Sequence, residues 1–324
     1  MTRAQLERHQ VWFYLGAILA GLALGSLAPA VAPALEAALW PLLGLLLYAT
    51  FTQVPLTSLP AAFCDKSFMA AILAGNFLFI PLLVWGLLVF LPGDPAIRLG
   101  VLLVLLMPCT DWYITFTHLG GGDAKRAIAS TPLNLLLQIA LLPVYLWLFM
   151  GNAFLEIMAA ERIVTVFVLL IVLPLLAAFA SERLAARSIK AAAALQKIGA
   201  LPVPLLAMVV FLIAASQVQA VMDALPVFAQ VFGVFAAFLV AALLLGLLLA
   251  RALKLPVAPA RALVFSLGTR NSFVVLPLAL ALPALWAAAP VVIVFQSLVE
   301  LFGMLAYLWA LPRLLPSSIK AGKK

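Results

Sequence analysis

From Val11 onward the sequence is a succession of apolar runs broken only at Pro, Gly and clustered charge. Each is about 20 residues long, the length a helix needs to cross a bilayer's hydrocarbon core. Such runs admit few folds. In hydrocarbon every backbone N–H and C=O must be paired within the protein, which leaves α-helices or a closed β-barrel. Barrel strands are short and alternate in polarity, whereas these runs are continuous and rich in Leu and Ala. They are helices. Composition agrees, since 67% of the 324 residues are hydrophobic and only 9% charged, against about 25% charged in a soluble domain. The first ten residues, MTRAQLERHQ, are polar, and no clear cleavage site marks the first run. That run reads as a retained helix and not a signal peptide.

Ten spans are expected, at 11–28, 37–57, 67–91, 98–118, 127–150, 162–180, 200–219, 226–250, 259–282 and 288–311. An even count puts both termini on one side. Sixteen of the 19 Lys and Arg residues fall on that side, clustered in the termini and around Lys66, Lys125, Arg183 to Lys197, and Arg251 to Arg261. Only Arg98 and Arg162 fall on the other, and Arg270 lies within a span. This asymmetry predicts a multi-pass protein of the inner membrane with both termini cytoplasmic. The net charge of +8 is thereby assigned to cytoplasmic loops and not to nucleic-acid binding. Cys64 falls in a loop and Cys109 inside a span, so no disulfide is expected.

The fourth span is interrupted by Pro108-Cys109-Thr110-Asp111 and the ninth by Gly268-Thr269-Arg270-Asn271, 160 residues later. Each break lies in the fourth helix of a set of five. Because five is odd, the second set enters the membrane from the opposite side, as in the inverted repeats of secondary transporters, whose paired broken helices mark the binding site. The expected fold is therefore an all-α membrane protein of two inverted five-helix repeats, with helices 4 and 9 broken and crossing, arranged as core and panel domains. Residues 1–151 form the first repeat. Residues 152–199 hold the sixth helix and a cytoplasmic connecting segment with a short amphipathic helix, and 200–324 complete the second repeat, which begins near 162.

Ionisable groups inside spans are costly and functional by default. Here they are Asp111, Arg270 and Glu300, with His118 near a helix end. Asp111 and Arg270 sit at the two breaks and could form an ion pair there, either as a structural clamp or as part of the transport site. Glu300 is the candidate proton carrier. Polar residues recur nearby: Thr50, Thr52 and Gln53, Asn76, Thr115 and Thr117, then Thr131, Asn134 and Gln138, the last three on one helical face. Such a stripe lines a cavity or bonds to neighbouring helices. Cys109 is either a small buried apolar residue or a soft ligand facing a substrate such as a metal or metalloid. An enzyme built on Cys109, Asp111 and His118 is excluded, because nine residues of helix separate Cys109 from His118 by about 13 Å. Gly120 to Asp123 is a turn without the Walker lysine and is no phosphate loop.

At these residues the chain resembles the bile acid/arsenite/riboflavin transporter superfamily, and within it the Acr-type arsenite efflux carriers. The resemblance covers nearly the whole chain. It is most specific from Pro108-Cys109-Thr110-Asp111 through Gly122-Asp123 to Thr131-Pro132-Leu133-Asn134 and Gln138, with further likeness at Phe265 to Asn271 and Leu298-Val299-Glu300. It implies a required cysteine at Cys109 and a substrate site that also includes Thr110, Asn134, Gln138 and Asn271. The chain departs from those carriers in having Phe273 where they have an acid, Arg270 where they have Asn, and an added acid at Asp111. The sodium-coupled bile acid branch has oxygen ligands where this chain has Tyr113, Ile114, Ser266 and Arg270, and only Thr131 is kept. A fixed guanidinium would repel sodium or replace its charge. Sodium dependence is therefore not expected, and the proton is the expected coupling ion.

The resulting expectation is a membrane carrier that exports arsenite in exchange for protons, with no cofactor and no enzymatic activity. Its partners would be a small-molecule substrate and the lipid bilayer. Two alternatives are transport of a small organic anion with Arg270 as its carboxylate partner, and a non-transporting membrane sensor. The short tail after Pro316 speaks against the sensor.

Overall fold

The computed structural model describes residues 3–57, 65–151 and 165–316. All named elements among them are helical: α1 (Arg3–Leu27), α2 (Ala32–Phe51), α3 (Lys66–Phe90), α4 (Pro95–Leu105), α5 (Trp112–Leu119), α6 (Ala124–Met150), α7 (Thr165–Ala185), α8 (Ile189–Ile198), α9 (Pro202–Ser216), α10 (Val218–Ala252), α11 (Val257–Gly268), α12 (Ser272–Leu280) and α13 (Ala288–Leu314). Seven described helical stretches are long and apolar enough to cross a membrane, and Trp12–Leu27, α4 and α11 are shorter apolar helices. The chain is a multi-pass helical membrane protein.

The expected fourth span is two helices, α4 and α5, and the ninth is α11 and α12, so both breaks are real. The eighth span starts at Val218 and not at 226, because Pro226 lies inside α10 and does not begin it. Membrane helices tolerate such prolines, since neighbouring groups satisfy the freed backbone atoms. The connecting segment contains the expected short helix, α8, capped by Ser188. Cys64, Arg162 and the tail beyond Pro316 lie outside the described residues.

Local chemistry sets the helix starts. Asp65, Asp94 and Asp123 accept the backbone N–H groups of Phe68 (3.0 Å), Ala96 (2.8 Å) and Arg126 (3.1 Å), satisfying donors that a first helical turn leaves orphaned. Pro95 follows its cap at the first helical position, where a missing N–H costs nothing. Gly75–Phe79 in α3 and Val168–Val172 in α7 are π-turns, each followed within two residues by a proline, Pro81 and Pro174. A proline cannot donate to the ladder, and widening the preceding turn relieves the mismatch.

The helices pack in two groups. In one, α9 lies between α1 and α2, and α2 packs on α7. Gly21 and Gly25 let α1 approach α9 until a Cβ at either would collide with the backbone of Phe211 or Ala215, the small-xxx-small packing of membrane helices. Thr57 donates to Glu182 (Oγ1 to Oε1, 2.5 Å), and Tyr48 bonds Ser181 at 2.9 Å, tying α2 to α7. In the other group α4 packs on α13, α10 on α11 and α13, and α5 on α6 and α11. The turn between α5 and α6 holds Gly121 at φ +66. Arg261 donates to the carbonyls of Gly120 (3.1 Å) and Leu315 (2.7 Å). Expected as one more loop charge, it is instead a buried clamp joining that turn to the end of α13.

Candidate functional site

The two interrupted helices meet at their breaks. Cys109 N–H donates to Thr269 C=O (3.2 Å) and Asn271 N–H donates to Met107 C=O (2.7 Å). Together they make a single antiparallel bridge between Pro108 and Arg270. Pro108 has no N–H to give, so its neighbours carry the pairing. Each second half-helix begins on a polar cap from the break itself. Asp111 Oδ1 accepts Trp112 N–H at 2.8 Å, and Asn271 Oδ1 accepts Val274 N–H at 3.4 Å. The crossing thus gathers the N-terminal, electropositive ends of α5 and α12 and the C-terminal, electronegative ends of α4 and α11.

The negative ends are met by Arg270, which is 2% exposed. Its Nη2 donates to Leu267 C=O (2.7 Å), Ser266 C=O (3.0 Å) and Asn76 Oδ1 (2.9 Å), and its Nη1 to Leu105 C=O (3.2 Å). These bonds correct one expectation: Arg270 does not pair with Asp111. The guanidinium turns to the carbonyl ends of α4 and α11, which lack helical partners, while Asp111 is held at the other side of the crossing as the cap of α5. Glu300 approaches Arg270 through the backbone. Its Oε2 accepts Arg270 N–H at 2.9 Å and Gln296 Nε2–H at 2.8 Å, and Gln296 in turn accepts from Ser272 Oγ at 2.8 Å. Glu300 Oε1 is buried and carries no hydrogen bond.

Cys109 is buried, and its Sγ donates to Asp111 Oδ1 at 2.9 Å. Asp111 also lines a narrow cleft of about 30 Å³ between the two helix groups. Tyr14, Thr50 and Gln53 contribute from one group, and Trp112, Thr115 and Phe273 from the other. The crossing therefore reaches the cleft through Asp111, with the thiol directly behind it. Helix α6 packs on α4, α5 and α11 and buries Asn134 and Gln138 completely. Neither amide has a hydrogen-bond partner, and neither has the Oγ1 of Thr110 nor the Nδ2 of Asn271. Buried polar groups are almost always paired, so these atoms are open to further hydrogen bonds. No bond joins Asn134 or Gln138 to the crossing itself. His118 is exposed at the far end of α5, removed from Cys109.

Several members of the network were not singled out from the sequence as site residues. Ser272 follows Asn271 directly, and Gln296 lies one helical turn before Glu300, so adjacency and the i,i+4 spacing were available signals. Asn76, noted only as part of a polar series, reaches Arg270 from the π-turn of α3. Tyr14 gave no signal, because a tyrosine in an apolar run is commonplace. Thr131 and Thr52 belong to the helices themselves, with hydroxyls that bond the backbone three residues back. Two comparisons bear on this geometry. Residues 40–224, more than half of the chain, match the family model described as Sodium Bile acid symporter family. No curated protein matches the chain.

Proposed function

The chain belongs to the sodium bile acid symporter family, whose members are membrane transporters, and from that premise we propose that it exports arsenite, and with it antimonite, in exchange for protons. The observation that carries this reading is the 2.9 Å contact of the Cys109 thiol with the Asp111 carboxylate, on the wall of a cleft between two helix groups. Sulfur is a soft donor suited to a trivalent metalloid. Neutral As(OH)3 entering the cleft reaches Asp111, and behind it a thiol whose proton has that carboxylate as acceptor. One As–O bond breaks and one S–As bond forms. The thiol proton passes through Asp111 to the departing hydroxide, which leaves as water. Thr110, Asn134, Gln138 and Asn271 offer hydrogen bonds to the remaining hydroxyls. A single sulfur bond is weak enough to be reversed by water on the far side.

Glu300 is assigned the coupling proton, because it is a fully buried carboxylate at the crossing and reaches Arg270 through a backbone bond. The architecture that goes with this is the ten-span inverted repeat, with repeats at 1–151 and from near 162. The group of α1, α2, α7 and α9 serves as the panel against which the crossing helices rock. The termini then face the cytoplasm and the protein sits in the inner membrane.

Arsenite uptake into everted membrane vesicles, with and without a proton gradient, tests the reading. Gradient-driven uptake that disappears in Cys109→Ser is the expected result. No uptake by folded wild-type protein would remove arsenite as the substrate. A second reading, transport of a small organic anion, is favoured by the family's description. In it Arg270 is the anion's carboxylate partner: its two terminal nitrogens are bonded to four oxygens, and its Nε carries no hydrogen bond. The anion would also face the positive ends of α5 and α12. Cys109→Ala would then leave transport intact.

A further inference from the structure

Between broken membrane helices, monovalent cations are held by unwound carbonyls and by the C-terminal ends of half-helices, whose partial negative charge faces the ion. This chain has such a place where α4 and α11 end. The carbonyls of Leu105, Ser266 and Leu267 converge there, joined by the side-chain oxygen of Asn76. All four donors are neutral oxygens, the set that a hard cation selects. Each is already bonded to the guanidinium of Arg270, at 2.7 to 3.2 Å. That group is permanently charged, and the ring of Phe238 lies against it at 5.4 Å, a favourable contact for a cation. A sodium ion, which the family's description names, does not fit: its oxygens are spent and a positive charge stands in its place.

We infer that Arg270 is a tethered cation, its guanidinium filling an oxygen cage that would otherwise take a free monovalent cation. The charge that stabilises the crossing stays in the protein through every cycle, and sodium neither binds there nor couples to transport through it. Shortening the side chain turns the cage into a cation site. The inference concerns the ion and not the cargo, so it stands or falls separately from arsenite export.

The test is thermal unfolding of the purified full-length protein in detergent, with sodium chloride or guanidinium chloride replacing choline chloride at constant ionic strength. Guanidinium is kept far below denaturing concentrations. The wild type is expected to show the same Tm in sodium and choline and no rise with guanidinium. Arg270→Ala is expected to start lower and to regain several degrees, saturably, with guanidinium or sodium. Saturable stabilisation of the wild type by sodium would overturn the inference. So would a folded Arg270→Ala that ignores both cations. Should Arg270→Ala fail to fold, Arg270→Gln undergoes the same titration, with the same outcomes deciding. The wild-type arm needs no variant.

Discussion

Asp111 serves two purposes at once, and they can be separated. As a cap it accepts Trp112 N–H, and as a carboxylate it accepts the Cys109 thiol proton. Asparagine caps helices about as well as aspartate, so Asp111→Asn should leave thermal stability within about 1 kcal/mol of wild type. It should still lower arsenite export by about a hundredfold, the lower end of the range for losing a positioned proton acceptor. Equal export by Asp111→Asn and wild type would remove the carboxylate from the mechanism. The sequence placed Cys109, Asp111, Arg270 and Asn271 at the breaks, and all four are there. It could not say which way each side chain turns. Arg270 and Asp111 are opposite charges on crossing segments, and in sequence that reads as a pair. The carbonyl ends of α4 and α11 compete for the guanidinium, and they win.

At the level of elements, the broken helices and their caps were legible because Pro108, Gly268 and the polar residues beside them cannot continue an apolar helix. The close approach of α1 and α9 depends on Gly21 and Gly25. A larger residue at Gly25 would meet the Ala215 carbonyl and the Val218 side chain. Gly25→Leu should cost about 1–3 kcal/mol, the usual penalty for overpacking, read as a lower midpoint of thermal unfolding. A second test concerns the starts of α3 and α6, where Arg126 Nε meets Asp65 at 2.7 Å and Arg126 Nη1 meets Asp123 at 2.5 Å. The Phe68 N–H, with help from Arg126, holds Asp65 below the ordinary carboxylate range. Burial works to raise Asp123, but the Arg126 backbone N–H and guanidinium outweigh it and leave that group lowered as well. A carboxylate lowered in the folded state stabilises above its unfolded pKa of about 4, and that contribution is lost as pH falls through the folded value. Arg126→Gln should therefore be less stable than wild type at neutral pH, by about 1 kcal/mol or less for so exposed a network. The two proteins' melting temperatures should converge well below pH 4.

At the scale of the whole molecule, the cleft lies between two helix groups that are each tied internally. Thr57–Glu182 and Tyr48–Ser181 bind one, and the Pro108–Arg270 bridge and the Arg261 clamp bind the other. Relative motion of the groups would open and close the cleft without disturbing either interior. Linking Gln53→Cys to Thr115→Cys across the cleft with a flexible thiol-specific reagent should abolish arsenite export. A reagent cleaved by reductant should restore it. Undiminished export by the linked protein would exclude rocking of one group against the other.

By itself the sequence determined that the chain is helical and membrane-spanning, where its helices fall, and where two of them break. Those properties follow from local chemistry: apolar length, proline and glycine, and buried charge. Tertiary structure alone decided that Arg270 answers the ends of two half-helices and not Asp111, and that the Cys109 thiol lies against that carboxylate. It also decided that Ser272, Gln296 and Asn76 join the network and that the cleft runs between α1 and α2 on one side and the crossing on the other. A side chain's partner is set by which carbonyls and donors several distant elements leave unsatisfied at one point, and no stretch of sequence contains that information on its own.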